Sequence, residues 1–189
     1  MRRGLFLSAK RALSVRFAAS AYVDATAYVH ETAQLAPGAI VLAHAHVDRH
    51  CELRAGSIVG PGTRIGEGTV VGMHASVENC TIGAHCILHS GVRIGADGFG
   101  FTVKADGSVQ KKPQLRHVLI GNEVEIGAGS CIDRGSWRDT CVGDHTKIDN
   151  LVQVGHNVLI GRGSLICAHG APSDAQHGGH VPRRHSDEH

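Results

Sequence analysis

Histidine is the side chain whose charge changes nearest neutral pH, and this 189-residue chain carries fifteen of them. Two kinds of chemistry are open to such residues. A histidine at a well-placed corner can act as a general base, and His156 is the one whose position argues for it. Sets of histidines can also bind a metal; His85 with His89, or His44 with His46 and His50, are the candidates. The six cysteines (Cys51, Cys80, Cys86, Cys131, Cys141, Cys167) form no CxxC pair and follow no secretory signal. They read as reduced thiols of a reducing compartment.

The elements that position these residues are visible as a period of six. From Val23, every sixth residue through Val29, Leu35, Val41, Val47, Leu53, Val59, Ile65 and Val71 to Val77 is aliphatic. After one five-residue step the series resumes at Ile82, Leu88 and Ile94. It returns at Ile120, Ile126 and Ile132, and again from Val142 to Ile166. Twenty-one hexads result. Glycine often follows the aliphatic, and a small or β-branched residue such as Ala39, Cys51 or Thr63 stands four places after it. Six fits neither an amphipathic helix nor an alternating strand. It fits a short strand with one inward aliphatic followed by a tight corner, where glycine accepts unusual backbone angles. Three hexads close a triangular coil, so the prediction is an all-β parallel β-helix of about seven coils stacked at roughly 4.8 Å. Cys51 and Cys86 then share a column two coils apart, roughly 10 Å, too far for a disulfide.

Two insertions interrupt the hexads: residues 97–118, reading DGFGFTVKADGSVQKKPQLRHV, and a smaller one around Ser136–Asp139. Loops leaving a rigid scaffold tend to carry function. Residues two after the aliphatic on the first hexad of each coil are Ala25, Ala43, Pro61, Asn79, Ala96, Arg134 and His156. The large loop leaves beside Ala96 and the small one follows Arg134, so both insertions, Arg134 and His156 are expected on one edge.

The ends differ from the middle. Before Asp24 there is no acidic residue, while Arg2, Arg3, Lys10, Arg11 and Arg16 accompany three serines. That is the composition of an organelle transit peptide, so residues 1–22 are set aside as a leader of mitochondrial type. Residues 23–168 form the solenoid. Residues 169–189 lack the aliphatic series, are rich in Gly, Pro, His and charge, and are expected to be disordered. A net charge of +2 gives no reason to expect nucleic acid, and no apolar run approaches the roughly 18 residues of a membrane span.

Four segments carry a family resemblance: IGADGFGF at 94–101, KPQL at 112–115, IDRG at 132–135 and KIDNLVQVGHNVLIG at 147–161. In this order they resemble the UDP-3-O-acylglucosamine N-acyltransferases of lipid A synthesis. The resemblance implies a left-handed β-helix. It also implies transfer of a 3-hydroxyacyl chain from acyl carrier protein to the 2-amino group of a UDP-linked, 3-O-acylated glucosamine. The matching catalytic residue is His156, taking a proton as the amine attacks the thioester. Asn150 and Asn157 would flank it, and Asp133, Arg134, Phe99, Phe101 and Gln114 would meet the substrate. No metal or cofactor is implied. The family is trimeric with sites between subunits, and the 97–118 loop would cover a neighbour.

The family's pattern also places a uridine-binding domain ahead of the β-helix and more coils after it. The coil above the histidine supplies an oxyanion donor, a position that falls here on Asp174. On that reading the chain has weak or no activity, and one alternative is a non-catalytic subunit in trimers with a full-length sister chain. The other alternative is a γ-type carbonic anhydrase, a family of the same fold that binds zinc through histidines of two subunits. The candidate histidines do not reproduce its spacing.

Overall fold

The computed structural model describes residues 20–168 together with the backbone of 16–17 and 176–177. The rest of the leader and tail assigned to the two ends, Asp174 included, lies outside the described residues. Each hexad forms a strand of about two residues, one turned outward and one inward, followed by a turn; Glu52–Leu53 and Arg64–Ile65 are examples. The strands assemble into three parallel sheets of eight, seven and eight, the faces of a solenoid. Every third strand pairs with the next, so Gln34, Glu52 and Val70 stand in line up the first face. The second face runs from Tyr22–Val23 to Gln153–Val154, and the third from Tyr28–Val29 to Leu159–Ile160.

The strands match the twenty-one hexads, with one more at each end. Arg16–Phe17 pairs with Gln34–Leu35, and Gln176–His177 with Leu159–Ile160. These two lie inside the segments set aside as leader and tail. Phe17 stands six residues before Val23, in phase with the series. Backbone pairing at 176–177 needs no aliphatic residue, so the periodicity gave no sign of it.

The inward aliphatics from Leu35 to Ile160 are buried, most at 0–2% exposure, and the small residues Ala39, Cys51, Ser57, Thr63 and Ala75 fill the space between them. Val23, Val29 and Ile166 are only partly buried, as befits residues near the ends of the stack. The usual step between stacked residues is eighteen. It falls to seventeen at the five-residue hexad and rises to 38 and 22 where the two insertions are looped out. The phase of the repeat survives each change.

Glycine has two roles, of which only the acceptance of unusual backbone angles was expected. Apart from Gly95, which follows Ile94 with φ 89°, the left-handed backbone falls two residues beyond the position that follows the aliphatic, at Gly62 and Gly68 and also at His44, His50, His74, His85 and His145. The earlier glycines are needed for space. A Cβ on Gly66 would lie 2.6 Å from the backbone carbon of Gly83, and one on Gly72 equally close to that of His89. Adjacent coils approach too closely there for any side chain.

All six cysteines are free. Burial pushes the Cys51 thiol up to about 11 and raises those of Cys80 and Cys86 as well. Because the thiolate is the reactive form, alkylation of the native protein near pH 8 is expected to modify exposed Cys167 and spare these three. Mass mapping before and after unfolding checks this; rapid native labelling of Cys51 would contradict the buried column.

Candidate active site

The second face ends its regular course at Ile94. Ile94 still pairs with Ile132, but Gly95 is skipped, and the ladder resumes as Ala96 with Asp133 and Asp97 with Arg134. The alignment of Ala96 with Arg134 expected from counting is therefore displaced by one residue, because a bulge inserts Gly95. From Asp97 the chain leaves the solenoid, forms an antiparallel hairpin of Phe101–Val103 and Val109–Lys111, and returns to the third face at Val118.

This excursion and the corner at His156 enclose a cleft of about 580 Å³. Asp133, Gln153 and His156 supply its polar side, and Phe99 and Phe101 an aromatic wall, their rings edge to face at 4.9 Å. Asp97 and Lys111 join across the root of the hairpin in a 2.6 Å ion pair and also line the cleft. Gly98 presses directly on the imidazole: a Cβ there would stand 2.6 Å from His156 Cδ2. Asn157, behind the histidine, brings its Nδ2 to 2.6 Å from His156 Nδ1.

Burial raises the carboxyl of Asp133, assisted by the charge of Asp97 and opposed by a hydrogen bond from Gln153 and by His156. A carboxyl raised on folding favours the native state below its unfolded value, and that advantage is lost as pH rises through the folded value. Asp133→Asn is thus expected to melt higher than the parent at neutral pH, with the gain vanishing below about pH 4. Melting curves across pH test this; a penalty at neutral pH would give the ionised carboxylate a stabilising role.

The other expected residues lie at different distances from the cleft. Arg134 turns away and donates from Nε to the Arg116 carbonyl at 2.6 Å, tying down the returning end of the loop. Gln114 is buried beneath Gly100, donating to the Lys112 carbonyl at 3.1 Å, with its Oε1 unpartnered. Asn150 does not flank His156. It occupies the preceding corner, where its Oδ1 accepts from the Ala128 amide at 2.7 Å in a separate cleft beside His89 and Glu125. Six residues of sequence are one whole face of the prism. Asp97, Lys111 and Gln153 were not singled out beforehand. Asp97 and Gln153 lie in the quoted segments, whereas Lys111 enters only because the hairpin folds back.

Among the described residues no three His, Cys, Asp or Glu side chains are placed to hold a metal ion. Of the histidines weighed for zinc, His89 meets Glu125 at 2.9 Å and His46 stacks on Tyr28. No helix among the described residues is long and apolar enough to cross a membrane.

Fold and cleft together define a hexapeptide-repeat solenoid with a histidine-bearing site at a looped edge, and residues 62–96 match the family described as bacterial transferase hexapeptide (six repeats). Along 94 residues, 50% of its length, the chain is similar to UDP-3-O-acylglucosamine N-acyltransferases. It is 61% identical over 94 residues to a probable mitochondrial UDP-3-O-acylglucosamine N-acyltransferase 2 of Arabidopsis thaliana, covering 50% of this chain and 31% of that protein. It is 55% identical over 94 residues to the UDP-3-O-acylglucosamine N-acyltransferase of Methylobacterium nodulans, covering 50% and 26%. The matched part thus spans less than a third of these relatives. Among solved structures, an Arabidopsis UDP-N-acetylglucosamine acyltransferase superposes with a TM-score of 0.67 at 23% identity, over 79% of this chain and 54% of that one. This last likeness is one of fold.

Proposed function

We propose that the chain is an N-acyltransferase that moves a 3-hydroxyacyl group from acyl carrier protein to the 2-amino group of UDP-3-O-acylglucosamine. The observation that carries the reading is the convergence, in one cleft, of residues from three sequence segments: Asp97–Phe101, Asp133 and Gln153–His156. Relatives named for this reaction support it. The cleft has the mixed character such a transfer needs. Phe99 and Phe101 offer apolar surface to an acyl chain, Lys111 offers a cation to a phosphate, and His156 with Asp133 handles hydrogen bonds at the reacting centre. Asn157 positions His156, while Arg134 and Gln114 brace the loop.

Assembly and location belong to the same proposal. The hairpin projects large apolar residues into solvent, with Phe99 89% and Val103 74% exposed. Such a surface fits burial against a second subunit, in a homotrimer or a mixed trimer with a longer sister chain. The basic, acid-free leader and the mitochondrial relative support the mitochondrion as the compartment.

The test is direct. The purified chain is incubated with 3-hydroxyacyl carrier protein and UDP-3-O-acylglucosamine, and the sugar nucleotide is followed by mass. Gain of one hydroxyacyl group, with loss of the free amine, is the expected result. A folded trimer that leaves the amine untouched under these conditions would refute the assignment.

A further inference from the structure

Tryptophan is on average a well-buried residue, yet Trp137, the only one in the chain, stands 61% exposed on the small insertion. The backbone beneath it is firmly held. The N–H groups of Ser136, Trp137 and Arg138 all converge on Asn157 Oδ1, at 2.8, 3.3 and 3.4 Å. Arg138 is held too: its Nε donates to the Asn157 carbonyl at 2.7 Å, and its guanidinium carbon lies 4.6 Å from the centre of the Trp137 ring. One face of the indole is thus backed by a fixed cation, which leaves the opposite face to carry the exposure.

Two more arginines are rooted at the same turn, around Gly135. A Cβ on Gly135 would collide with the Arg138 carbonyl and stand 3.0 Å from Arg116 Cβ. Arg134 precedes this glycine and donates to the Arg116 carbonyl. Among the described residues no carboxylate forms an ion pair with Arg116, Arg134 or Arg138. Cations rooted this close together raise the local potential and attract an anion, and the planar guanidinium fork matches phosphate oxygens in particular.

A bare aromatic face beside a phosphate-seeking cluster is the chemistry that holds a nucleotide, base on ring and phosphate on arginine. We propose that Trp137 is a stacking platform for the uracil ring of the sugar nucleotide, with Arg116, Arg134 and Arg138 drawing in its diphosphate. The proposal rests on the acyl-transfer reading for the identity of the base. Asn157 joins the platform to the cleft, since its Nδ2 stands 2.6 Å from His156 Nδ1. A nucleotide held on Trp137 therefore presents its sugar at the corner where the cleft opens. This contact belongs to the solenoid itself and is separate from the uridine-binding domain that the family's pattern places ahead of it.

Because Trp137 is the only tryptophan, its fluorescence reports on this place alone. UDP and UDP-N-acetylglucosamine added to the full chain should quench it saturably, whereas pyrophosphate and ribose phosphate, which lack a base, should not. Trp137→Ala should raise the UDP dissociation constant, measured by equilibrium dialysis, about tenfold, within the range of one base stacked on an aromatic ring. Trp137→Phe keeps a ring and should restore most of the affinity. Arg116→Gln should make UDP binding less sensitive to salt. Absence of saturable quenching by UDP, or equal dissociation constants for the parent and Trp137→Ala, would overturn the proposal. Quenching by an adenosine bisphosphate as strong as that by UDP would give the platform to an adenine nucleotide and overturn the uracil assignment. Quenching by UDP in a chain that transfers no acyl group would refute the function proposed above and leave the platform standing; transfer without quenching would do the reverse.

Discussion

Replacing His156 with alanine is expected to lower acyl transfer by about two to four orders of magnitude, the range of one positioned general acid–base group, and to leave the solenoid standing. The physical basis for the first half is position. His156 faces the cleft at the edge where the hairpin is anchored, with Gly98 against one side of its ring and Asn157 holding Nδ1. Such a ring has little freedom, so it meets the substrate already oriented. The second half follows from where the side chain is not. It belongs to no inward column; Val154 and Val158, on either side of it in the chain, are the buried core residues. Asn157 Nδ2 keeps Ser136 Oγ as a partner when the imidazole is gone. The melting temperature should therefore shift by no more than a few degrees, as for a loss of about 1 kcal/mol in a domain of this size. Steady-state rates and melting curves on the same preparations separate the cases. Full activity in the alanine variant would remove His156 from the mechanism. A collapse of melting temperature alongside activity would make it a structural residue.

The fold was legible because its signal is repeated and redundant. Val41, Val59 and Val77 each report the same column, so one five-residue step or a 22-residue excursion leaves the phase recoverable on the far side. The site was legible only as far as it follows that phase. His156 fell on the expected edge because it has a fixed offset from an inward aliphatic, whereas Asp133, which lines the same cleft, was named only through the resemblance. Asn150 was assigned to the same place through the family resemblance, yet on a triangular prism six residues lead to another corner. Ala96 and Arg134 slipped by one because a bulge obeys local backbone geometry and leaves the aliphatic spacing unchanged. Lys111 could not be placed at all. Its ion pair with Asp97 depends on where a hairpin folds back over the scaffold, and no repeat encodes that path. Glycines such as Gly66 and Gly72, which follow an aliphatic, were read as turn formers, but their need is the closeness of the next coil, a distance invisible within one coil's sequence.

Gly95→Ala should be among the most damaging single-methyl additions in the chain, for a reason that ties the scaffold to the site. Gly95 has φ +89°, and a Cβ there would lie 1.6 Å from the Glu78 carbonyl oxygen and 2.7 Å from its carbon. The obstacle is backbone of the coil below, which Val77 and Ile94 hold in register, so it cannot swing aside. Left-handed backbone alone costs an alanine about 1–2 kcal/mol, and displacing the carbonyl adds to that. The melting temperature is expected to fall by at least roughly 4–8 °C, the equivalent of about 2 kcal/mol in a chain of this length. Gly62→Ala isolates the contact, since Gly62 has φ +65° but nothing within 4 Å of its would-be Cβ. It should show the backbone cost alone. The functional consequence is larger than the thermal one. If the bulge is squeezed out to relieve the clash, Ala96 and Asp97 move by one register position, and a one-residue slip sends each side chain to the opposite face. Asp97 would then leave Lys111, and Gly98 would no longer press on His156. Gly95→Ala is accordingly expected to lose transfer activity even at temperatures where it remains folded, whereas Gly62→Ala keeps it. Equal melting temperatures and equal rates for the two variants would mean that the bulge neither strains against the coil below nor aims the loop that builds the site.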